Sequence, residues 1–354
     1  MISRKTKGHV SFCGRKMPIK PIILGCSGLT LTEREKTFFR ETNPFGFILF
    51  ERNCGTSSQI RALTTALRDC TKRSDTPIFI DQEGGRVTRL KPPNWPSLPS
   101  MGEIGRAYKK NAGLGVKAMR LHVSATARML NYVGIDGNCT PLLDVFFKKT
   151  SSVMGRRRFS DDPEIVSALG RVAVEAYLQE GVFPVIKHLP GHGRVQADPH
   201  REVTAVDASL EELQGLDFKP FMDLKDAPIG MSCHIVFHDI DPANPTTFSR
   251  KVNQEIIRDM IGFDGLLMTD DLAMKALSGS LPEIAAKALE AGADILLYCK
   301  GQINKSHEIC EGLPDISEAA LKRWHRALKL RKETQAEELV EVGIWKQTVD
   351  SLSC

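Results

Sequence analysis

The feature that most constrains the fold is a recurrence. Eight short apolar runs stand along the 354 residues: Pro21–Cys26, Gly46–Phe50, Pro77–Asp81, Gly134–Val145, Phe183–His188, Gly230–Val236, Gly265–Thr269 and Ala293–Tyr298. Several are apolar almost throughout, the pattern of strands covered on both faces. Helix signals lie between them. Thr32 with Glu35 and Ser209 with Glu212 have capping-box spacing. Asp162-Pro163 reads as an N-cap with proline at the first helical position. Met119–Tyr132 and Pro282–Ala291 carry apolar residues at helical spacing. Strand then helix, about eight times, predicts a TIM-like (β/α)8 barrel in a single domain. The rival is an open doubly wound sheet, but no G-x-G-x-x-G follows the first run.

Length divided by roughly 150 suggests two domains, yet a barrel spends about 250 residues on one. The expected division is a basic tail over 1–20, a barrel over 21–312 and a C-terminal helical extension over 313–354. Within the extension, 316–340 is predicted to be helical. Lys91-Pro92-Pro93 and Trp95-Pro96 predict a rigid loop after the third run.

The formal charge of +5 is small for the length, and basic residues are scattered outside the N-terminus and 156–158. That argues against a nucleic-acid or membrane-surface partner. No apolar stretch approaches the ~18 residues of a membrane span. The N-terminus lacks the apolar region of a signal peptide. Nine scattered cysteines without a C-x-x-C pair read as reduced thiols, so a cytoplasmic location is expected.

Polar residues gather where the runs end: Glu51-Arg52-Asn53, Asp81 to Arg86, Asp144, Lys187-His188, His234 and Thr269-Asp270-Asp271. In a barrel these positions converge on the C-terminal rim, where chemistry sits. Pro190, Gly191 and Gly193 make the stretch after Lys187 a loop. Five of the nine histidines lie between 188 and 238. A metal reading would take His188, His192 and His200 with Asp198 or Asp270, though the Pro-Gly break spoils helical ligand spacing. A catalytic reading pairs Asp198 with His200, which share one face of an extended segment. A carboxylate beside an imidazole makes a general acid/base unit near neutral pH. Asp270 is equally a candidate for chemistry or for capping, and Asp271 is expected to cap the next helix.

At these residues the chain resembles the β-N-acetylglucosaminidases of glycoside hydrolase family 3, most closely the single-domain bacterial type of peptidoglycan recycling. The resemblance runs from about Pro21 to Cys299. Its motifs are Gly46–Asn53, Asp81–Arg86, Thr140–Val145, Gly155–Phe159, Lys187–Gly193, Asp198-Pro199-His200, Thr269–Met274 and Ala291–Asp294. The resemblance implies a TIM-like barrel, Asp270 as nucleophile and His200 with Asp198 as acid/base. It implies sugar contacts from Asp81, Arg157, Lys187 and His188, with a looser match at Arg89. It implies retaining hydrolysis of a terminal β-linked N-acetylglucosamine, with no metal or cofactor. The implied substrate is a peptidoglycan-derived oligosaccharide, N-acetylglucosaminyl-1,6-anhydro-N-acetylmuramic acid with or without its peptide, and a monomer is expected. Two departures stand out. Pro199 replaces a usual serine, and Arg158 replaces a small residue, which predicts a more basic rim. The competing classes are a phosphorylase on the same scaffold, a metal-dependent barrel hydrolase and a non-catalytic sugar binder.

Overall fold

The computed structural model describes residues 18–145, 147, 157–195 and 204–335. Ten strands are present among them: β1 Lys20–Gly25, β2 Pro44–Leu49, β3 Ile78–Ile80, β4 Gly137–Asn138, β5 Phe183–Leu189, β6 Thr204–Val206, β7 Ile229–Ser232, β8 Ile235–Phe237, β9 Leu266–Asp271 and β10 Ile295–Tyr298. Eight close a parallel barrel in the order β1-β10-β9-β7-β5-β4-β3-β2, while β6 and β8 form a separate two-stranded sheet. Closure excludes the open sheet and gives the (β/α)8 architecture.

Alternation along each strand builds two apolar layers. Ile23, Ile48, Phe79, Val185, Met231, Met268 and Leu297 meet inside the barrel. Their neighbours Ile22, Leu24, Leu49, Ile80, Ile186, Leu267 and Leu296 join the outer layer, under the helices. The helices include α1 Glu33–Thr42, α2 Ser57–Thr71, α3 Met101–Lys110, α4 Ala112–Tyr132 and α5 Pro163–Gln179. The box at Thr32 and Glu35 caps α1, and Asp162 caps α5 with Pro163 in its first turn.

The C-terminal helix, Glu318–Thr334, carries Trp324 into the barrel interior. The indole ring lies 5.0 Å from the rings of both Phe45 and Phe183. This helix therefore belongs to the barrel's packing as well as following it in sequence.

Two runs are shorter as strands than the sequence suggests. Only Gly137–Asn138 of the fourth run form a strand. Beyond Pro141, which has no N–H to donate, pairing is reduced to an isolated bridge between Leu142 and Lys187. The sixth run splits: Ile229–Ser232 stays in the barrel, and Ile235–Phe237 leaves to pair with Thr204–Val206. Among the described residues, no helix is long and apolar enough to cross a membrane.

Candidate active site

The inward parity of the strands carries straight into the mouth. Asp81 lies two residues beyond Phe79, Lys187 two beyond Val185 and Asp270 two beyond Met268, all inward residues. On β5 the register steps from Lys187 opposite Met231 to Leu189 opposite Ser232, two residues against one. Such a bulge re-aims a side chain, and Lys187 and His188 both take part in the ion-pair network there.

Five charged groups form a chain. Arg89 donates to Asp81 at 3.1 Å, and Lys187 donates to Asp81 at 3.0 Å. Lys187 also reaches Glu83 at 2.8 Å. Arg157 donates to both Glu83 oxygens, at 2.7 and 2.9 Å. Burial opposes ionisation of Asp81, yet Lys187 and Arg89 hold it well below the ordinary carboxylate range. The same contest at Glu83 is won by Arg157 and Lys187, so its pKa is lowered. Burial works against the charge of Lys187, but Asp81 and Glu83 raise it above the usual lysine value. The chain is thus fixed as three cations and two anions, a set of strong donors and acceptors for hydroxyl groups.

Beside it stands a second group. Asp144, fully buried, faces Nδ1 of His188 at 2.8 Å, and Nε2 of His188 lies 3.9 Å from Asp270. Burial raises the pKa of Asp270, but His188, His234 and the backbone N–H of Asp271 outweigh it and hold the carboxylate ionised. His234 sits 3.1 Å from the carbonyl of Asp271, so its Nε2 carries the proton. Burial, aided by His188, lowers the pKa of His192 to about 3.

The structure therefore brings together Asp81, Arg89, Arg157, Lys187, His188 and Asp270. Asp198 and His200 lie outside the described residues. Asp271 caps no helix: its Oδ1 accepts from the amides of Ala273 and Cys299, and the next helix begins only at Leu281. Arg158 is not on the rim. It is buried, and it donates to the carbonyls of Gly193 and His192, at 3.1 and 3.5 Å. Burial lowers its pKa to about 10. Sequence reasoning did not nominate Glu83, although Asp81 and Glu83, two apart, have the spacing of a shared face. Nor did it nominate Asp144, visible only as a polar residue at a run's end. Among the described residues, no group of three or more His, Cys, Asp or Glu is arranged to hold a metal ion.

Residues 28–327 match the glycosyl hydrolase family 3 N-terminal domain. The chain belongs to glycoside hydrolase family 3. Relatives of this family member include a β-hexosaminidase of Hydrogenovibrio crunogenus, 33% identical over 294 residues, which are 82% of this chain and 81% of that one. A β-hexosaminidase of Bordetella pertussis is 35% identical over 291 residues, 80% of this chain and 81% of the relative. Among solved structures, native NagZ from Neisseria gonorrhoeae superposes with a TM-score of 0.84 at 29% identity, covering 95% of this chain and 98% of that one. A family 3 β-N-acetylglucosaminidase from Paenibacillus gives a TM-score of 0.81 at 27% identity, covering 94% of this chain and 66% of that longer one.

Proposed function

We propose that the protein is a retaining exo-β-N-acetylglucosaminidase. Asp270 is the nucleophile, and His200 with Asp198 is the acid/base pair. The observation that carries this reading is the setting of Asp270: an ionised carboxylate at the end of β9, beside His188 and next to a chain of fixed hydroxyl-binding charges. The relatives support the sugar. They are β-hexosaminidases, and the Neisseria NagZ has been crystallised with N-trifluoroacetyl-D-glucosamine.

In the first step an Asp270 oxygen attacks the anomeric carbon while the glycosidic C–O bond breaks. Protonated His200 gives its proton to the leaving oxygen, and Asp198 stabilises the imidazolium. In the second step neutral His200 takes a proton from water. The water oxygen bonds to the anomeric carbon and frees Asp270. Asp81, Arg89, Lys187, Arg157 and His188 hold the sugar hydroxyls in place. The substrate is N-acetylglucosaminyl-1,6-anhydro-N-acetylmuramic acid, with or without peptide, in cytoplasmic recycling of cell-wall fragments by a monomer.

The test is hydrolysis of this disaccharide and of an aryl β-N-acetylglucosaminide, with and without phosphate and chelator. Release should need neither phosphate nor metal. Asp270→Ala should nearly abolish turnover of both substrates. His200→Ala should damage the disaccharide reaction far more than the aryl one, whose leaving group needs little protonation. Near-wild-type rates in Asp270→Ala would refute the assignment.

A further inference from the structure

Asp144 has both oxygens committed. Its Oδ1 accepts the backbone N–H of His188 at 3.2 Å and that of His192 at 2.8 Å. Its Oδ2 lies 2.8 Å from Nδ1 of His188. An ionised carboxylate can only accept, and Asp144 is held ionised against burial by the His188 ring N–H, by the two backbone N–H groups and by the Arg158 charge. The proton on the His188 ring therefore belongs on Nδ1. The other nitrogen, Nε2, is turned toward Asp270, 3.9 Å from its Oδ2. That gap is longer than a hydrogen bond.

We propose that Asp144 is a positioning residue: it fixes His188 as the Nδ1–H tautomer, so that Nε2 presents a free lone pair to a sugar hydroxyl beside Asp270. This rests on Asp270 being the nucleophile and adds which atom of His188 meets the sugar. The reverse tautomer would place an N–H at Nε2, aimed at Asp270 itself. It would offer a donor where the hydroxyl needs an acceptor, and it would draw charge from the attacking oxygen.

Asp144→Asn separates the two states. An asparagine has one accepting oxygen. Two backbone N–H groups need it, so the amide NH2 must face Nδ1 and force the proton to Nε2. The experiment is 15N NMR of the full chain labelled at histidine, with His188 assigned by its loss in His188→Gln and recorded where its own titration shows the ring neutral. The expected result is Nδ1–H in the wild type and Nε2–H in Asp144→Asn. With it, kcat should fall roughly 10- to 100-fold, the scale of leaving a buried hydroxyl donor facing an N–H instead of an acceptor, while KM changes less. An Nε2–H ring in the wild type, or a ring doubly protonated at every pH at which the enzyme works, would overturn the proposal, and neither result needs the variant to fold. So would a folded Asp144→Asn with unchanged tautomer and kcat. An active Asp270→Ala would instead sink the nucleophile assignment and leave the tautomer measurement standing.

Discussion

Replacing Glu83 by glutamine tests whether the charged chain at the mouth is a single unit. The change keeps the shape and removes one negative charge. Glu83 is 1% exposed and touches Lys187 once and Arg157 twice. Without it, Lys187 keeps only its bond to Asp81 in this chain, and Arg157 loses both of its bonds to Glu83. Breaking a buried pair by removing one partner costs about 3–5 kcal/mol. Asp81 still compensates Lys187 and the amide oxygen still accepts, so the lower end, about 3 kcal/mol, applies. With an unfolding entropy of ~2.1 cal/mol/K per residue over the roughly 300 described residues, that is a fall of about 5 °C in Tm. The effect must also follow pH. The folded pKa of Glu83 is depressed, so its contribution is full above the unfolded value of about 4.3 and is lost as pH falls through the folded value. Scanning calorimetry of both proteins from pH 8 to pH 3.5 should show a constant gap down to about pH 5 that narrows below about pH 4. Equal Tm at pH 7, or a gap that does not change on acidification, would refute the argument.

Trp324→Ala should lower stability by about 3–5 kcal/mol in urea unfolding, the cost of emptying a buried aromatic site; a loss below about 1 kcal/mol would mean the C-terminal helix is not part of the core. Gly105→Ala, within a helix, would ordinarily stabilise by about 1 kcal/mol. Here a Cβ would run into the backbone carbonyl of Phe159, so the expected result in the same assay is destabilisation by about 1–3 kcal/mol. The profile of kcat/KM on the disaccharide should have its alkaline limb at or above the free-histidine value of about 6.5, because the Asp198 carboxylate favours the protonated donor; an alkaline limb below about pH 5 would contradict a histidine donor.

The barrel and much of the mouth were legible because strand parity is local information. Phe79 and Asp81, Val185 and Lys187, Met268 and Asp270 are each two residues apart, so an apolar inward residue predicts where the next polar one points. The fourth run reads as a longer strand than it is because apolar composition does not distinguish a strand from a buried irregular segment: only Gly137–Asn138 and an isolated bridge at Leu142 pair. Trp324 was legible as one residue of a helix but not as part of the barrel interior, since its partners Phe45 and Phe183 lie far away in sequence. Glu83 and Asp144 were missed for the same reason: each matters through partners dozens of residues distant. Arg158 shows the opposite error. A cation in an arginine run reads as surface charge, yet its guanidinium lies inside, bonded to two loop carbonyls that no sequence pattern points to.

Retaining hydrolysis needs one group ionised to attack and another protonated to donate. A carboxylate can hold a proton at neutral pH only where burial or a like charge raises its pKa. At this mouth the reverse holds. Glu83 and Asp144 are buried and Asp81 and Asp270 half-buried, and cationic or donor neighbours pull every one below its ordinary value. Two described carboxylates nearby go the other way. Burial pushes Asp217 up to about 6, but it is bound to Arg194 at 2.8 Å. Burial also raises Asp271, whose Oδ1 is held by two amides that need an acceptor. Neither is free to act as a proton donor to a sugar oxygen. The surroundings that keep Asp270 ionised thus deny the same site a carboxylic acid. A histidine escapes this conflict, because its charged form is the protonated one and a neighbouring carboxylate such as Asp198 favours that form. The electrostatics of the described residues therefore favour an imidazole over a carboxylic acid as the donor, which is the role proposed for His200.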